Sequence, residues 1–187
     1  NLAQITKSID ATLIHISTDY VFNGNKENPY SESDKTDPIG VYGKTKLCGE
    51  ISVIKSNCKY ILLRTSWIFS KYRKNFLLSV LNMIKNKSEI SIVNDQFGCP
   101  TYANDISKVI ISFINQILNG KDYREIFHYS GYEKTTWYDF ANEILSQKKY
   151  FNPDIDCKIK PIKSYEYITP AKRPFYSVLD CSKIKKI

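Results

Sequence analysis

Tyr42 and Lys46 are the two residues whose types and spacing most directly suggest catalytic chemistry. They lie four positions apart in a segment rich in helix-forming residues, and residues at i and i+4 share one face of a helix. A free phenol is a poor acid–base catalyst near neutral pH, but an adjacent ammonium group favours the phenolate form. A phenol supported in this way can give a proton to a carbonyl oxygen or take one from an alcohol.

A run of hydroxyl and carboxyl groups precedes this pair in the chain. Ser17, Thr18 and Asp19 follow the largely apolar residues 11–16, which predict a buried strand of a parallel sheet. Ligands of open α/β sheets bind beyond the carboxyl ends of the strands. A hydroxyl of Ser17 or Thr18 could therefore hydrogen-bond the same substrate oxygen as Tyr42 and hold it in place.

The elements that must position these groups alternate between strands and helices, which predicts an α/β fold with a parallel sheet. A second predicted strand also ends in hydroxyl groups, at Thr65 and Ser66, so two strand ends point to one crevice. The predicted helices are 1–10, 39–54, 75–85, 103–118 and 137–146, and the predicted strands are 11–16, 60–64, 89–93 and 126–129.

The composition favours a globular protein and argues against nucleic-acid, membrane and metal binding. The net charge is +8, but the basic residues are scattered rather than interleaved with aromatics in a dense patch. No apolar run approaches the roughly 20 residues of a membrane span. The five cysteines lack the paired spacing of a zinc site, so we expect reduced thiols and a cytoplasmic location. His15 and His128 lie in predicted strands, where satisfied core histidines are expected.

Seven segments together carry a more specific signal than the Tyr42–Lys46 pair, which a chain with 14 tyrosines and 23 lysines contains by chance. They are 17–24 (STDYVFNG), 41–47 (VYGKTKL), 63–67 (LRTSW), 75–76 (NF), 94–101 (NDQFGCPT), 136–141 (TWYDFA) and 169–180 (TPAKRPFYSVLD). In this order they resemble the extended short-chain dehydrogenase/reductase superfamily, and within it the dTDP-4-dehydrorhamnose reductase family, over essentially the whole chain.

This resemblance implies a role for each matching residue. Tyr42 would protonate the oxygen at C4 of a keto sugar, Lys46 would support Tyr42 and hold the nicotinamide ribose, and Thr18 would polarise the carbonyl. The implied reaction is the reduction of dTDP-4-dehydro-L-rhamnose by NADPH or NADH. The implied cofactor contacts are Ser17, Tyr42, Lys46 and Thr65, and the implied substrate contacts are Thr18, Asp19, Val21, Trp67, Asn75, Gln96, Thr101 and Arg173.

Two of the substrate contacts also have a physical basis. Trp67 follows the end of a predicted strand, where a large flat ring can line a sugar or base site. Arg173 carries a guanidinium group, which pairs well with a diphosphate.

The glycine-rich turn with which this family begins is absent from the sequence. That turn and the helix after it hold the dinucleotide pyrophosphate, whereas the seven glycines here do not cluster. We therefore expect the chain to be the later part of such a reductase, with doubtful activity by itself. Residues 1–93 would be the later half of a Rossmann-like domain, and residues 94–187 mainly a smaller, irregular substrate-binding lobe.

Two alternative functions remain open at this point. A sugar-nucleotide epimerase or dehydratase of the same superfamily would keep Tyr42 and Lys46 but retain its cofactor through the cycle. A non-catalytic regulatory subunit could use the same fold without turnover, since the regulatory subunit of methionine adenosyltransferase resembles these reductases. The protein could also form a homodimer.

Overall fold

The computed structural model describes residues 1–186. The helices are α1 (Leu2–Ser8), α2 (Val41–Ser56), α3 (Phe76–Asn86), α4 (Ala103–Leu118) and α5 (Trp137–Phe151). The strands are β1 (Thr12–Thr18), β2 (Lys59–Thr65), β3 (Ile68–Phe69), β4 (Glu89–Val93), β5 (Phe97–Gly98), β6 (Thr101–Tyr102), β7 (Arg124–His128), β8 (Thr135–Thr136) and β9 (Lys158–Ile162). A short 3-10 turn, Asp19–Val21, follows β1 directly.

A three-stranded parallel sheet in the order β1-β2-β7 forms the centre of the fold, which confirms the predicted α/β class. The central strand β2 is buried as predicted. Residues 11–16 were predicted to be buried, but they are half-buried within residues 1–186, where β1 pairs only with β2. Its buried part is the polar end, Ser17 and Thr18.

Helices cover both faces of the sheet, since successive strand residues point to opposite sides. On one face, Val53 of α2 and Ala3 of α1 pack with Leu62 of β2. On the other, Phe113 of α4 packs with Leu63 of β2 and with other buried residues of β2 and β7. Packing of these helices against both faces of the sheet thus holds the polar carboxyl ends of β1 and β2 in place.

A second core lies where α3 and α5 pack against the parallel pair β4–β9. The predicted helix at 137–146 extends to Phe151, because Gln147, Lys148 and Lys149 are good helix formers that continue along an exposed face. At its start, the Thr136 hydroxyl donates to Asp139 Oδ2 (2.6 Å), and the Asp139 amide donates back to Thr136 Oγ1 (3.0 Å). This reciprocal cap fixes the first turn of α5. Within residues 1–186, no helix has the length and hydropathy of a membrane span.

Candidate active site

A cavity of about 240 Å³ opens at the carboxyl ends of β1 and β2. This is the crevice that the two polar strand ends predict. Its lining residues are Ser17, Thr18, Asp19, Tyr20, Tyr42, Thr65, Trp67, Ile68 and Trp137.

One face of α2 presents Tyr42, Lys46 and Glu50, spaced by one helical turn each. The Tyr42 side chain is exposed and available to a ligand, whereas Glu50 is buried. Lys46 Nζ donates to the Ile16 carbonyl (2.6 Å), and Glu50 Oε1 accepts from Ser17 Oγ (2.5 Å). Lys46 and Glu50 therefore link α2 to two consecutive residues at the end of β1, Ile16 and Ser17.

Gly43 allows α2 to approach the turn that follows β1. A Cβ atom at this position would overlap the Tyr20 carbonyl oxygen, so any larger residue would push the helix away. This close approach brings the Tyr42 ring against the Tyr20 ring, edge to face, with centroids 6.1 Å apart. The glycine thus sets where the Tyr42 phenol lies relative to Thr18 and Asp19.

A buried ion pair anchors the far end of the same helix face. Arg64 Nε donates to Glu50 Oε1 (3.0 Å) and Arg64 Nη2 to Glu50 Oε2 (2.7 Å). His128 Nδ1 donates to the Tyr30 carbonyl (3.0 Å), which leaves Nε2 to accept from Arg64 Nη1 (3.3 Å). Burial and the charge of Arg64 lower the pKa of His128 to about 3, so this histidine stays neutral.

The prediction of satisfied core histidines holds for His128 and is wrong for His15. His15 lies on the half-buried strand β1, and its Nε2 is buried with no hydrogen-bond partner among residues 1–186. Burial and the charge of Lys46 lower the pKa of His15. Neither histidine lines the cavity.

Thr18 and Asp19 form a buried polar pair on the cavity wall. The Thr18 hydroxyl donates to Asp19 Oδ1 (2.9 Å), and Thr18 Oγ1 accepts from the Tyr20 amide (3.2 Å). Burial raises the pKa of Asp19 to about 7, against the opposing effect of the nearby Ser177 and Thr18 hydroxyls. The Ser177 hydroxyl makes its own long bond to the Phe97 carbonyl (3.4 Å), and Asp19 Oδ2 has no partner within the described chain.

Trp67 is held in a strained position beside this pair. Its φ of 45° lies in the left-handed region, which a bulky residue adopts only when its surroundings impose it. The indole stacks on Trp137 with ring centroids 3.4 Å apart and 5° between the planes. The Thr101 amide donates to the Trp67 carbonyl (3.1 Å), so both the ring and the backbone of Trp67 are fixed.

Gly98 provides the room for the Trp67 indole, and this gives a first prediction. The Cβ of a Gly98→Ala variant would overlap the indole ring, so the ring must move. We expect kcat/KM for the sugar nucleotide to fall about 10–100-fold, because small displacements of positioning groups have effects of this size. Steady-state kinetics and tryptophan fluorescence would measure the two consequences.

Gly49→Ala is the matched control for this prediction. Its Cβ would lie 3.6 Å from His15 Nε2, an ordinary contact, within helix α2, where alanine is favoured over glycine. If both variants keep wild-type kcat/KM and fluorescence, Trp67 is not positioned by Gly98.

The other predicted substrate residues lie outside the cavity lining. Val21, Gln96 and Thr101 are buried. The Asn75 side chain caps α3 by accepting from the Leu78 amide (3.2 Å), and its Nδ2 donates to carbonyls of the preceding loop. Burial gives Val21 a structural role, and capping gives Asn75 one. A role in substrate binding stays a prediction for these two residues and for Gln96 and Thr101.

Arg173 is exposed, and its charge acts on the cavity wall. Burial raises the pKa of Tyr20, and the positive charge of Arg173 opposes that rise. Tyr20, Ile68 and Trp137 are lining residues that the sequence analysis did not nominate. Tyr20 follows Asp19, Ile68 follows Trp67, and Trp137 lies within the TWYDFA segment. Their closeness in sequence to predicted site residues is the feature that could have predicted them.

The cavity has features that suit the polar groups of a nicotinamide cofactor. Two buried oxygens in its lining, Thr65 Oγ1 and Asp19 Oδ2, have no hydrogen-bond partner in residues 1–186. Lys46 is not a lining residue of the cavity. Its ammonium group donates one of its three protons to the Ile16 carbonyl and has two left for a ligand. Of the four predicted cofactor contacts, only Ser17 has its hydroxyl proton already engaged, by Glu50.

Comparisons with known proteins agree with this arrangement. A family model described as the RmlD substrate binding domain matches residues 1–187. The dTDP-4-dehydrorhamnose reductase of Sinorhizobium fredii is 40% identical over 187 residues, which cover 99% of this chain and 63% of that relative. The chain therefore spans less than two thirds of the length of this relative.

Solved structures of similar proteins share the fold. A dTDP-4-dehydrorhamnose reductase from Clostridium acetobutylicum matches with a TM-score of 0.87 and 38% identity, over 96% of this chain and 60% of that one. The dTDP-4-dehydrorhamnose reductase of Bacillus anthracis, solved in complex with NADP, matches with a TM-score of 0.84 and 32% identity, over 99% of this chain and 62% of that one. With these similarities and a family match over its whole length, the chain belongs to the RmlD substrate binding domain family.

Proposed function

We propose that this chain supplies the catalytic and substrate-binding part of a reductase that converts dTDP-4-dehydro-L-rhamnose to dTDP-L-rhamnose, a precursor of surface polysaccharides. The observation that carries the proposal is the single cavity lined by the exposed Tyr42 and by the buried Thr18–Asp19 pair. The relatives named dTDP-4-dehydrorhamnose reductase support the choice of substrate. The division into residues 1–93, with the proton-transfer groups, and 94–187, mainly a substrate lobe, is part of this proposal.

Tyr42 is the proton donor in the proposed reaction. Its hydroxyl gives a proton to the keto oxygen at C4 as negative charge develops there. Lys46 lies one helical turn away on the same face of α2 and brings a positive charge to this end of the proposed site. Because Lys46 is bound to the Ile16 carbonyl, its ammonium group is held near the site before the substrate arrives.

Thr18 and the paired tryptophans hold the substrate in the proposed complex. The Thr18 hydroxyl would hydrogen-bond the keto oxygen, and Asp19 Oδ2 would accept from a sugar hydroxyl. Trp67, supported by Trp137, offers an apolar face to the sugar ring. The guanidinium group of Arg173 would pair with the substrate diphosphate.

NADPH or NADH would be the cofactor, held at its nicotinamide end by Tyr42, Lys46 and Thr65. When bound, the reduced nicotinamide supplies the hydride that C4 receives. The B. anthracis relative was solved with NADP, which supports NADPH as the first cofactor to test. Ser17 would contribute less, because its hydroxyl already donates to Glu50.

The second prediction concerns turnover by the complete product of the gene that encodes this chain. With dTDP-4-dehydro-L-rhamnose, we expect one reduced cofactor to be oxidised for each dTDP-L-rhamnose formed, measured by absorbance and by chromatography of the sugar nucleotides. An epimerase or dehydratase would change the sugar without net oxidation of the cofactor. Binding of the sugar nucleotide without turnover would instead favour a regulatory subunit, and either result would overturn the proposal.

A further inference from the structure

The hydroxyl of Thr18 points its only proton away from the place where the proposed substrate needs it. In the structure that proton goes to Asp19 Oδ1 (2.9 Å), while one lone pair accepts from the Tyr20 amide (3.2 Å). A hydroxyl has one proton and two acceptor sites. With an ionised Asp19, Thr18 therefore has only a lone pair left for the cavity.

A ketone cannot use that lone pair, because its oxygen is also only an acceptor. Thr18 can hydrogen-bond a keto oxygen only if its hydroxyl proton turns toward the cavity. Thr18 Oγ1 and Asp19 Oδ1 would then face each other without a proton between them, unless Asp19 donates one to Thr18. A neutral carboxyl group has such a proton, whereas a carboxylate has none. The direction of the Thr18 hydroxyl is thus tied to the protonation state of Asp19.

We propose that Asp19 is a proton-holding positioning residue: in its neutral form it donates to Thr18 and turns the Thr18 hydroxyl toward the keto oxygen of the substrate. This inference rests on the proposed ketoreductase function. It adds that the protonation state of Asp19 determines whether Thr18 can bind the ketone. In the ionised form, Thr18 presents an acceptor, which suits a sugar hydroxyl such as the product's. The same pair would then bind ketone and alcohol with opposite hydrogen-bond directions.

The surroundings of Asp19 favour the neutral form. The carboxyl group is almost fully buried, at 2% exposed, and Oδ2 has no hydrogen-bond partner in the part of the chain that the structure describes. The titratable groups next to it are the Tyr20 phenol and the buried Cys99 thiol; beyond Tyr20 lie Arg173 and Tyr42, and beyond Cys99 lie Cys181 and Lys134. The two cations in this set, Arg173 and Lys134, are both exposed.

A carboxyl group in such surroundings keeps its proton to a higher pH than usual. Burial raises the pKa of Asp19 to about 7, with Ser177 and Thr18 opposing the rise. Neutral Asp19 would therefore predominate below this pH and the carboxylate above it. Asp19 gives up no proton to the product, since Tyr42 protonates the oxygen and the nicotinamide hydride supplies both electrons.

The third prediction tests this assignment with the Asp19→Asn variant, in the complete gene product. The asparagine amide donates to Thr18 at every pH, as the neutral carboxyl group does. Wild-type kcat/KM for the ketone should fall about tenfold per pH unit above about pH 7, as a single ionising group requires. The Asp19→Asn profile should stay flat over the same range, and Asp154→Asn, an exposed control, should follow the wild type.

Two further measurements keep the test decisive if Asp19→Asn folds poorly. Thr18→Val lacks the hydroxyl, so its lower activity should also lose the fall above pH 7. Infrared difference spectra of the resting wild-type protein should show a protonated carboxyl band that disappears as the pH rises through about 7. A wild-type pH profile retained by either variant, or no such band below pH 7, would overturn the role of Asp19. Absence of wild-type reduction at pH 6 would instead overturn the proposed function.

Discussion

Replacing Tyr42 with phenylalanine is expected to lower kcat for ketone reduction by about 10²–10⁴-fold, the usual contribution of a positioned acid. The variant keeps the aromatic ring, so the edge-to-face contact with Tyr20 and the shape of the cavity are retained. Binding of the sugar nucleotide should therefore change little, because only the proton donor is lost. Steady-state kinetics would measure kcat, and calorimetric titration with the product would measure affinity.

Tyr132→Phe is the matched control, since the Tyr132 side chain is 82% exposed and outside the cavity lining. It should keep wild-type kcat. Equal activity of Tyr42→Phe and the wild type would show that another group protonates the substrate. A large loss of affinity with unchanged kcat would assign Tyr42 to binding alone.

Breaking the Glu50–Arg64 pair is expected to have the largest effect on stability. Both side chains are buried, and Arg64 holds Glu50 through two hydrogen bonds of 3.0 and 2.7 Å. Glu50→Leu would leave the Arg64 guanidinium group buried with no carboxylate partner, which costs about 3–5 kcal/mol of unfolding free energy. Urea unfolding followed by circular dichroism would measure the loss.

The double variant Glu50→Leu/Arg64→Met separates the unpaired charge from the lost packing. Its unfolding free energy should lie above that of Glu50→Leu, because no buried charge is left without a partner. As a control, Asp105→Asn breaks an exposed pair with Lys108 (2.8 Å) and should change stability by less than about 1 kcal/mol. A loss of this smaller size for Glu50→Leu would contradict the anchoring role.

The elements with strong hydrophobic periodicity or continuous apolar runs were predictable from sequence. Helix α4 was predicted to the residue, and β4 likewise, because each is bounded by turn-forming or polar residues. The half-buried state of β1 within residues 1–186 was not, since a local pattern does not reveal whether a strand pairs on one side or on both. The length of α5 was missed because its last residues are exposed and carry no periodic signal.

The candidate site was predictable in its chemistry and less so in its contacts. The positions of Thr18, Asp19, Tyr42 and Trp67 around one crevice follow from strand ends and helix spacing. The Trp67–Trp137 stack joins residues 70 positions apart, and no local pattern anticipates it. Hydrogen-bond direction, such as that of the Thr18 hydroxyl, depends on three-dimensional neighbours and is visible only in the fold.

Transfer of deuterium from the reduced cofactor to the sugar tests the central proposal most directly. The complete gene product would be incubated with dTDP-4-dehydro-L-rhamnose and NADPH carrying deuterium at the transferable position of the nicotinamide. Ketone reduction predicts dTDP-L-rhamnose with deuterium at C4, seen by mass spectrometry and by loss of the C4 proton signal in NMR. Tyr42→Phe should form the same labelled product at a far lower rate. Unlabelled product, label at another carbon, or sugar conversion without loss of NADPH would contradict the assignment of Thr18, Tyr42 and Lys46 to ketone reduction.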